Sequence, residues 1–395
     1  MKKILLIPVL FLLITLSVMA ATHARAQDFS MGEETKGLKV KVSDDTDISF
    51  RVRLQPRIDF GDLIKSEDGK SNESEMDMYL RRIRLEIGGQ LYTNLKYSLV
   101  FEGDKNGKFA SSGSPTNEVK IQLANIDYKF QDAFAVRFGK AKLPYSRVSL
   151  TSSSKQLIIE RPVSTEAAKK LFDDYYQSHL IVHGKAAEGI LAYNLAVGDG
   201  WEPNSTITGT TTVHKSDPLY IARLELSPPG WTEKDKSDAH LGKDRHLVLG
   251  VNYAGQKGIE YKTSAFGEDR TLIGADISGH YEGFTAQFEY NTWKEKYTNP
   301  ATKEKKPKGW YAQTGYFISG LNTEPVARYE VYDQDSNLSD KTEKTTTIGV
   351  NWYAKGHSFK IGLNRAHTEY EKSASGWLAN DDTKDVYQVQ AQLYF

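Results

Sequence analysis

The chain has no cysteine. That excludes disulfides, thiolate metal sites and a lipid anchor on a cysteine. It has little proline or methionine, 12 and 5 in 395 residues. Charge of one sign is also missing, with 51 basic against 51 acidic residues. The first 26 residues read as a secretory signal. Met1-Lys2-Lys3 is basic, Ile4 to Ala20 is apolar, and Ala24-Arg25-Ala26 is a small-x-small cleavage pattern. Removing Lys2, Lys3 and Arg25 from the 51 basic residues leaves 48 against 51 acidic, a net of −3. So weak a balance argues against nucleic acid as a partner. No second run of about 18 apolar residues follows, so no helix is expected to span a membrane once the signal is gone.

What the chain does have is aromatic residues, 22 Tyr, 16 Phe and 6 Trp, and a two-residue period. Residues 27–46 are polar and mixed in charge, and read as a periplasmic lead-in with little structure. Alternation then dominates from residue 47 to the end. Ile48, Phe50, Val52, Leu54, Ile58 and Phe60 share one face, and Ser49, Arg51, Arg53, Gln55, Arg57 and Asp59 the other. Phe284 to Asn291 alternates in the same way. So does the C-terminal stretch, where Tyr387, Val389, Ala391, Leu393 and Phe395 face away from Gln388, Gln390, Gln392 and Tyr394. Strands of about 10 residues with one apolar face suit a barrel set in lipid, whose low mean hydropathy follows because only alternate residues meet the hydrocarbon. A soluble β-sandwich also alternates, but the length, the number of strands and the terminal phenylalanine disfavour it.

The fold class expected is all-β, a 16-stranded antiparallel transmembrane β-barrel with an inward-folded constriction loop. Its strands fall near 47–60, 77–90, 95–104, 118–130, 133–142, 176–186, 189–198, 217–227, 245–254, 270–281, 284–297, 308–318, 325–334, 344–354, 357–370 and 383–395. Tight turns at Gln131-Asp132, Glu282-Gly283 and Lys355-Gly356 then alternate with long connections, as periplasmic and external ends do in such barrels. The stretch 258–267 also alternates, but counting it would break the parity, so it is assigned to an external loop or strand extension. The connection 228–244 must be periplasmic and is long for that end. Sixteen strands leave room for an aqueous channel.

An arginine facing lipid near the midplane costs about 2–4 kcal/mol, so the strand arginines must face the lumen. These are Arg51, Arg53, Arg57, Arg82, Arg84, Arg137, Arg223 and Arg328. Residues i and i+2 on a strand lie about 7 Å apart, so stacked guanidiniums repel. A passing oxyanion would offset that repulsion through bidentate contacts, and so would lumen acids such as Asp59, Glu86, Glu102, Asp104, Glu225, Asp276 and Glu330. The segment 143–175 is the longest connection. Counted from the end of the preceding strand it carries Lys140, Lys142, Arg147, Lys155 and Arg161. Its Leu157-Ile158-Ile159 needs something to pack on, which folding inward supplies. His179 and His183 share a strand face without an obvious carboxylate partner and make a weak metal signal. No metal site, cofactor or catalytic residue is expected, since no nucleophile elbow, phosphate loop or zinc helix motif is present.

The segments Tyr79-Leu80-Arg81-Arg82-Ile83-Arg84-Leu85, Arg137 through Ser146, Leu150-Thr151-Ser152-Ser153 and Glu160-Arg161 resemble the phosphate-selective porin O and P family. Arg223 before Pro228 and Gly309-Trp310-Tyr311 extend the likeness. The resemblance implies a trimeric sixteen-stranded porin of the outer membrane. It also implies that the inward third loop forms the constriction and that an arginine ladder leads small anions, such as phosphate, toward constriction lysines. By position Arg51, Arg53, Arg57, Arg82 and Arg84 are ladder-like, and Lys140, Lys142 and Lys155 constriction-like. A non-selective diffusion porin, and a non-conducting adhesin or membrane-enzyme barrel, remain as alternatives.

Overall fold

A computed structural model describes residues 37–108, 118–207, 211–233, 235–262 and 266–395. The expected signal segment lies outside the described residues. Among them are eighteen strands. In chain order the first nine are β1 Leu38–Lys41, β2 Asp47–Lys65, β3 Asn72–Leu91, β4 Leu95–Asn106, β5 Val119–Gln131, β6 Phe134–Lys142, β7 Tyr176–Ala186, β8 Leu191–Gly198 and β9 Val213–Lys215. There follow β10 Leu219–Leu226, β11 His246–Tyr261, β12 Gly267–Tyr281, β13 Phe284–Tyr297 and β14 Lys308–Tyr316. The last four are β15 Thr323–Asp333, β16 Thr342–Lys355, β17 Phe359–Tyr370 and β18 Thr383–Tyr394.

Sixteen of these form the wall. Every neighbour pair is antiparallel, β8 pairs with β10, and β18 pairs back onto β2, so the sheet closes. Closure leaves no edge for the bilayer to expose. Along β11, Leu247, Leu249, Val251 and Tyr253 are exposed on the outside while His246, Val248, Asn252 and Ala254 are buried inside. Phe284 and Phe288 of β13 also face out. Phe130 and Phe134 stack at 5.0 Å beside the β5–β6 turn, as an aromatic girdle at the membrane interface requires. The hairpin β12–β13 turns on Glu282 and Gly283, both at positive φ, which matches the twist of the flanking strands.

Three expectations are decided here, two of them by correction. The lead-in is not without structure, because β1 pairs antiparallel with β2 from Leu38↔Phe50 to Lys41↔Asp47. The stagger of the barrel explains it. β18 reaches only Arg53 on β2, so the first residues of β2 would otherwise present a bare edge. The stretch after Gly258 is a strand extension, as one of its two assignments had it: β11 runs to Tyr261 through a register shift between Gln256 and Ile259, with Gly258 at φ +58°. The small strand β9, which sequence reasoning missed, pairs with that extension.

The other correction concerns alternation in β3. Opposite Pro56, which has no N–H to give, the register shifts so that Gln55 faces Arg82 and Pro56 faces Leu80. Arg81 is the extra residue of a bulge. Asp77, Tyr79 and Arg81 are therefore buried inside on one side of it, and Arg82, Arg84 and Glu86 on the other. Strict alternation would have sent Arg81 to the lipid.

Two connections fold into the barrel. The segment 143–175 contains short helices at Arg147–Leu150 and Val163–Ala168. Its Leu143, Tyr145, Leu171, Phe172 and Tyr175 pack on wall residues Ile181, Leu219, Ile221, Leu272 and Trp293. Leu157 and Ile158 pack with Val326, Tyr353 and, from the other inward segment 228–244, Ala239 and Leu241. The wall makes room for this loop with glycine. A Cβ on Gly309 would lie 2.3 Å from that of Ser164, so the backbone of β14 and the loop meet only because that side chain is missing.

Candidate functional site

The site is the lumen and the two segments inside it. Each strand arginine named from the sequence lies on the lumen face, and most are held by acids. Arg53 donates to Glu86 at 2.7 Å, and Arg51 lies 3.3 Å from the same carboxylate. Arg57 bonds Asp59 at 2.6 Å, Arg84 bonds Glu102 and Arg137 bonds Asp127 at 2.6 Å. Arg223 is gripped by Asp276 and Glu225, each at 2.7 Å. Arg328 lies 3.1 Å from Glu330. Arg82 differs. It is buried, donates to the Gln55 amide oxygen at 3.1 Å, and has no carboxylate within ion-pair distance among the described residues. The repulsion of stacked guanidiniums is thus offset mainly by lumen acids. Only Arg51 and Arg137 keep about a third of their side-chain surface in contact with water, at 35% each.

The loop is fastened through Glu160. Its carboxylate accepts from Arg57 of β2 and Arg81 of β3, and its backbone carbonyl accepts from Arg328 of β15 at 2.8 Å. One acidic residue therefore ties the loop to three strands of the wall, β2, β3 and β15. Burial alone would push its carboxyl up, but Arg57, Arg81 and Arg82 hold it well below the usual carboxylate range. Wall carboxylates also meet the first turns of both helices, Glu289 accepting from Val148 N–H at 3.2 Å and Glu330 from Val163 N–H at 2.6 Å.

The cations named for the loop are mostly anchors. Arg147 is fully buried and makes a two-pronged bond to Glu233 at 2.8 and 2.6 Å, linking the loop to segment 228–244. Burial would raise Glu233, and Arg147 instead holds it well below its ordinary range. Arg161 donates to the Val148 and Thr151 carbonyls within the loop. Lys142 points its ammonium at the Leu150 carbonyl, 2.7 Å away. Lys155 borders a cavity at the tight-turn end. Lys140 is not at the constriction. It sits on β6 opposite the exposed Ser178 and shares a face with Phe138, the outward one. Gly139 precedes it at φ +119°, where a Cβ would run into the Ala124 carbonyl. Arg81, Glu160, Glu233 and the buried Lys360, which donates to the Gln156 carbonyl at 3.0 Å, are the lumen anchors that alternation did not reveal. His183 does have a carboxylate partner, Asp127 at 3.1 Å.

Open space remains along one side of the lumen. A space of about 780 Å³ lies between the loop and the wall at the tight-turn ends of β2 to β6. Its charged lining is Arg51, Lys96, Arg137, Lys142 and Lys236 against the single carboxylate Asp127. It adjoins a space of about 940 Å³ that shares Lys96, Asp127, Arg137 and Lys236 and reaches the β5–β6 turn at Gln131-Asp132. There the charge is mixed, with Asp132, Glu188 and Glu233 present.

The family model for phosphate-selective porin O and P matches residues 50–395, nearly the whole barrel. The chain belongs to that family. This porin is 37% identical to a protein of Aquifex aeolicus described only as uncharacterized, over 92% of this chain and 91% of that one. It is 22% identical to Porin O of Pseudomonas aeruginosa, over 92% of each. Its fold is that of an anion-selective porin from Comamonas acidovorans, with a TM-score of 0.59 at 13% identity, covering 89% of this chain and all of that one. The porin is an outer-membrane β-barrel channel protein with loop 143–175 turned into its lumen.

Proposed function

We propose that this porin passes small anions, phosphate and other oxyanions among them, by diffusion through the space beside the inward loop. The supporting observation is the charge of that space, five cations facing one carboxylate. A pore selects anions with lysine and arginine placed around its narrow part, and guanidinium groups grip oxyanions with two parallel bonds. Arg51, Arg137 and Lys142 carry this role. Arg53, Arg57 and Arg328 act chiefly as wall-to-loop clasps, and Arg84 and Arg223 as clasps within the wall. The likeness to Porin O of Pseudomonas aeruginosa and to the anion-selective porin of Comamonas acidovorans agrees with the reading. A homotrimer in outer-membrane lipid belongs to the same proposal, and cross-linking of the protein in detergent checks it by yielding a threefold species.

The test is phosphate block of chloride current through single channels, in wild type and in Lys96→Gln. Lys96 is exposed, and among the described residues no side-chain hydrogen bond or ion pair joins it to the loop. An anion about 7 Å from an ammonium gains roughly 0.6 kcal/mol in bulk water and about 2.4 kcal/mol at an effective dielectric of 20. The half-blocking phosphate concentration is therefore expected to rise roughly three- to fifty-fold in the variant. Chloride current that phosphate does not block overturns the oxyanion assignment and leaves the general diffusion porin, a reading that the paired wall arginines favour.

A further inference from the structure

Four groups that channel conduction does not use meet at the tight-turn end of the lumen. His246 opens β11 and His280 closes β12, and the two are cross-strand partners facing inward. Segment 228–244 lays His240 against both, with ring centroids 4.5 Å from His246 and 4.6 Å from His280. Glu233 of the same segment completes the group. One ligand atom each of Glu233, His240 and His246 lies within 4.8 Å of the others. Three imidazoles and a carboxylate from three chain segments are not explained by packing alone. Among the described residues the buried Nε2 atoms of His240 and His280 have no hydrogen-bond partner, and buried polar atoms are rarely left so unless a ligand or ion completes them.

We propose that Glu233, His240 and His246 form a binding site for a divalent transition-metal ion of the zinc class. Two imidazoles and one carboxylate with a fourth position open are a standard zinc donor set. Nitrogen donors also exclude calcium and magnesium, which take oxygen ligands. Ligand atoms around a tetrahedral zinc stand about 3.4 Å apart at bond lengths of ~2.0–2.1 Å, so the present spacing needs only small side-chain movements. Glu233 retains capacity for the ion. Its Oε1 accepts from Arg147 and from the Ser237 N–H, and among the described residues its Oε2 accepts only from Arg147, while each carboxylate oxygen has two acceptor sites. His280 stacks on His240 from the wall side. A cavity of about 660 Å³, lined by Lys155, Glu233, His240, His246 and turn residue Glu282, provides the route of entry.

The bound ion would join segment 228–244 to the wall, and through Glu233 and Arg147 to the inward loop. The site is thus placed to change how firmly the constriction is held, whichever solute passes it. The experiment is calorimetric titration of zinc chloride into untagged, chelator-treated, full-length porin in detergent. One zinc ion per chain is expected, with affinity at least tenfold weaker in His240→Ala and in His246→Ala. His214→Ala, at an exposed histidine on β9, should leave it unchanged. Circular dichroism checks that each variant keeps its sheet. If the wall variant does not fold, His240→Gln on the inward segment carries the test alone. No saturable binding by the wild type overturns the proposal, and so does binding that survives substitution of His240.

Discussion

At the scale of single residues, the lumen is governed by carboxylates as much as by arginines. Glu160 is the clearest case. Glu160→Gln removes the charge that Arg57 and Arg81 share, and leaves them facing each other with Arg82. The loop should then move more, seen as larger open-channel noise and a higher mean conductance than wild type. Current traces indistinguishable from wild type would remove Glu160 from its role as a clasp. The pH dependence has a definite sign. A carboxylate whose folded-state proton affinity is depressed contributes stability above the usual carboxylate range and loses it only as pH falls through its own lowered value. Wild-type conductance should therefore stay constant from neutral pH down through about pH 4, and the loop should loosen only in stronger acid. Loosening that begins near pH 6 would contradict the arrangement. Alternation in the sequence located the inward arginines Arg53, Arg57, Arg84, Arg223 and Arg328, because charge cannot face lipid. It could not say which acid pairs with which arginine, since partners such as Arg223 and Asp276 are joined only by barrel register. Nor could it place Arg81 inside, because one bulge opposite Pro56 reverses the faces.

At the scale of elements, the inward loop and segment 228–244 behave as one body held by the Arg147–Glu233 pair. Arg147→Ala leaves a buried carboxylate without its partner, a change that costs about 3–5 kcal/mol in such settings. Hydrogen exchange of residues 228–245 should rise in the variant while exchange of β12 and β13 stays slow; unchanged protection of 228–245 would show that the pair holds nothing. Gly309→Val tests the other contact. Its side chain would occupy the place of Ser164, and overpacking of this kind typically costs about 1–3 kcal/mol. The helix Val163–Ala168 should become sensitive to protease in a barrel that still closes. The sequence made the wall strands readable because each obeys one rule, apolar residues toward lipid. It left these internal segments obscure for the opposite reason. They pack on residues of many wall strands rather than through one apolar face, so no period marks them, and Leu157-Ile158-Ile159 was their apolar signal. The length of 228–244, odd for a periplasmic turn, was the trace of its inward fold.

At the scale of the whole molecule, sixteen strands enclose a lumen that is filled on one side by loop 143–175 and open on the other. Strand count and closure followed from parity of long and short connections, a global property that survives errors of several residues at strand ends. β2, for example, runs to Lys65, and β3 begins at Asn72. Solute preference is a different kind of property, because it depends on the few cations that water still reaches after the acids have matched the rest. The measurement that tests the account most directly is the reversal potential of wild-type single channels in a tenfold potassium chloride gradient. The five-to-one lining of the open space predicts a potential displaced toward that of chloride. A potential at zero, or displaced toward potassium, would contradict anion preference and leave the lumen cations as structural clasps alone.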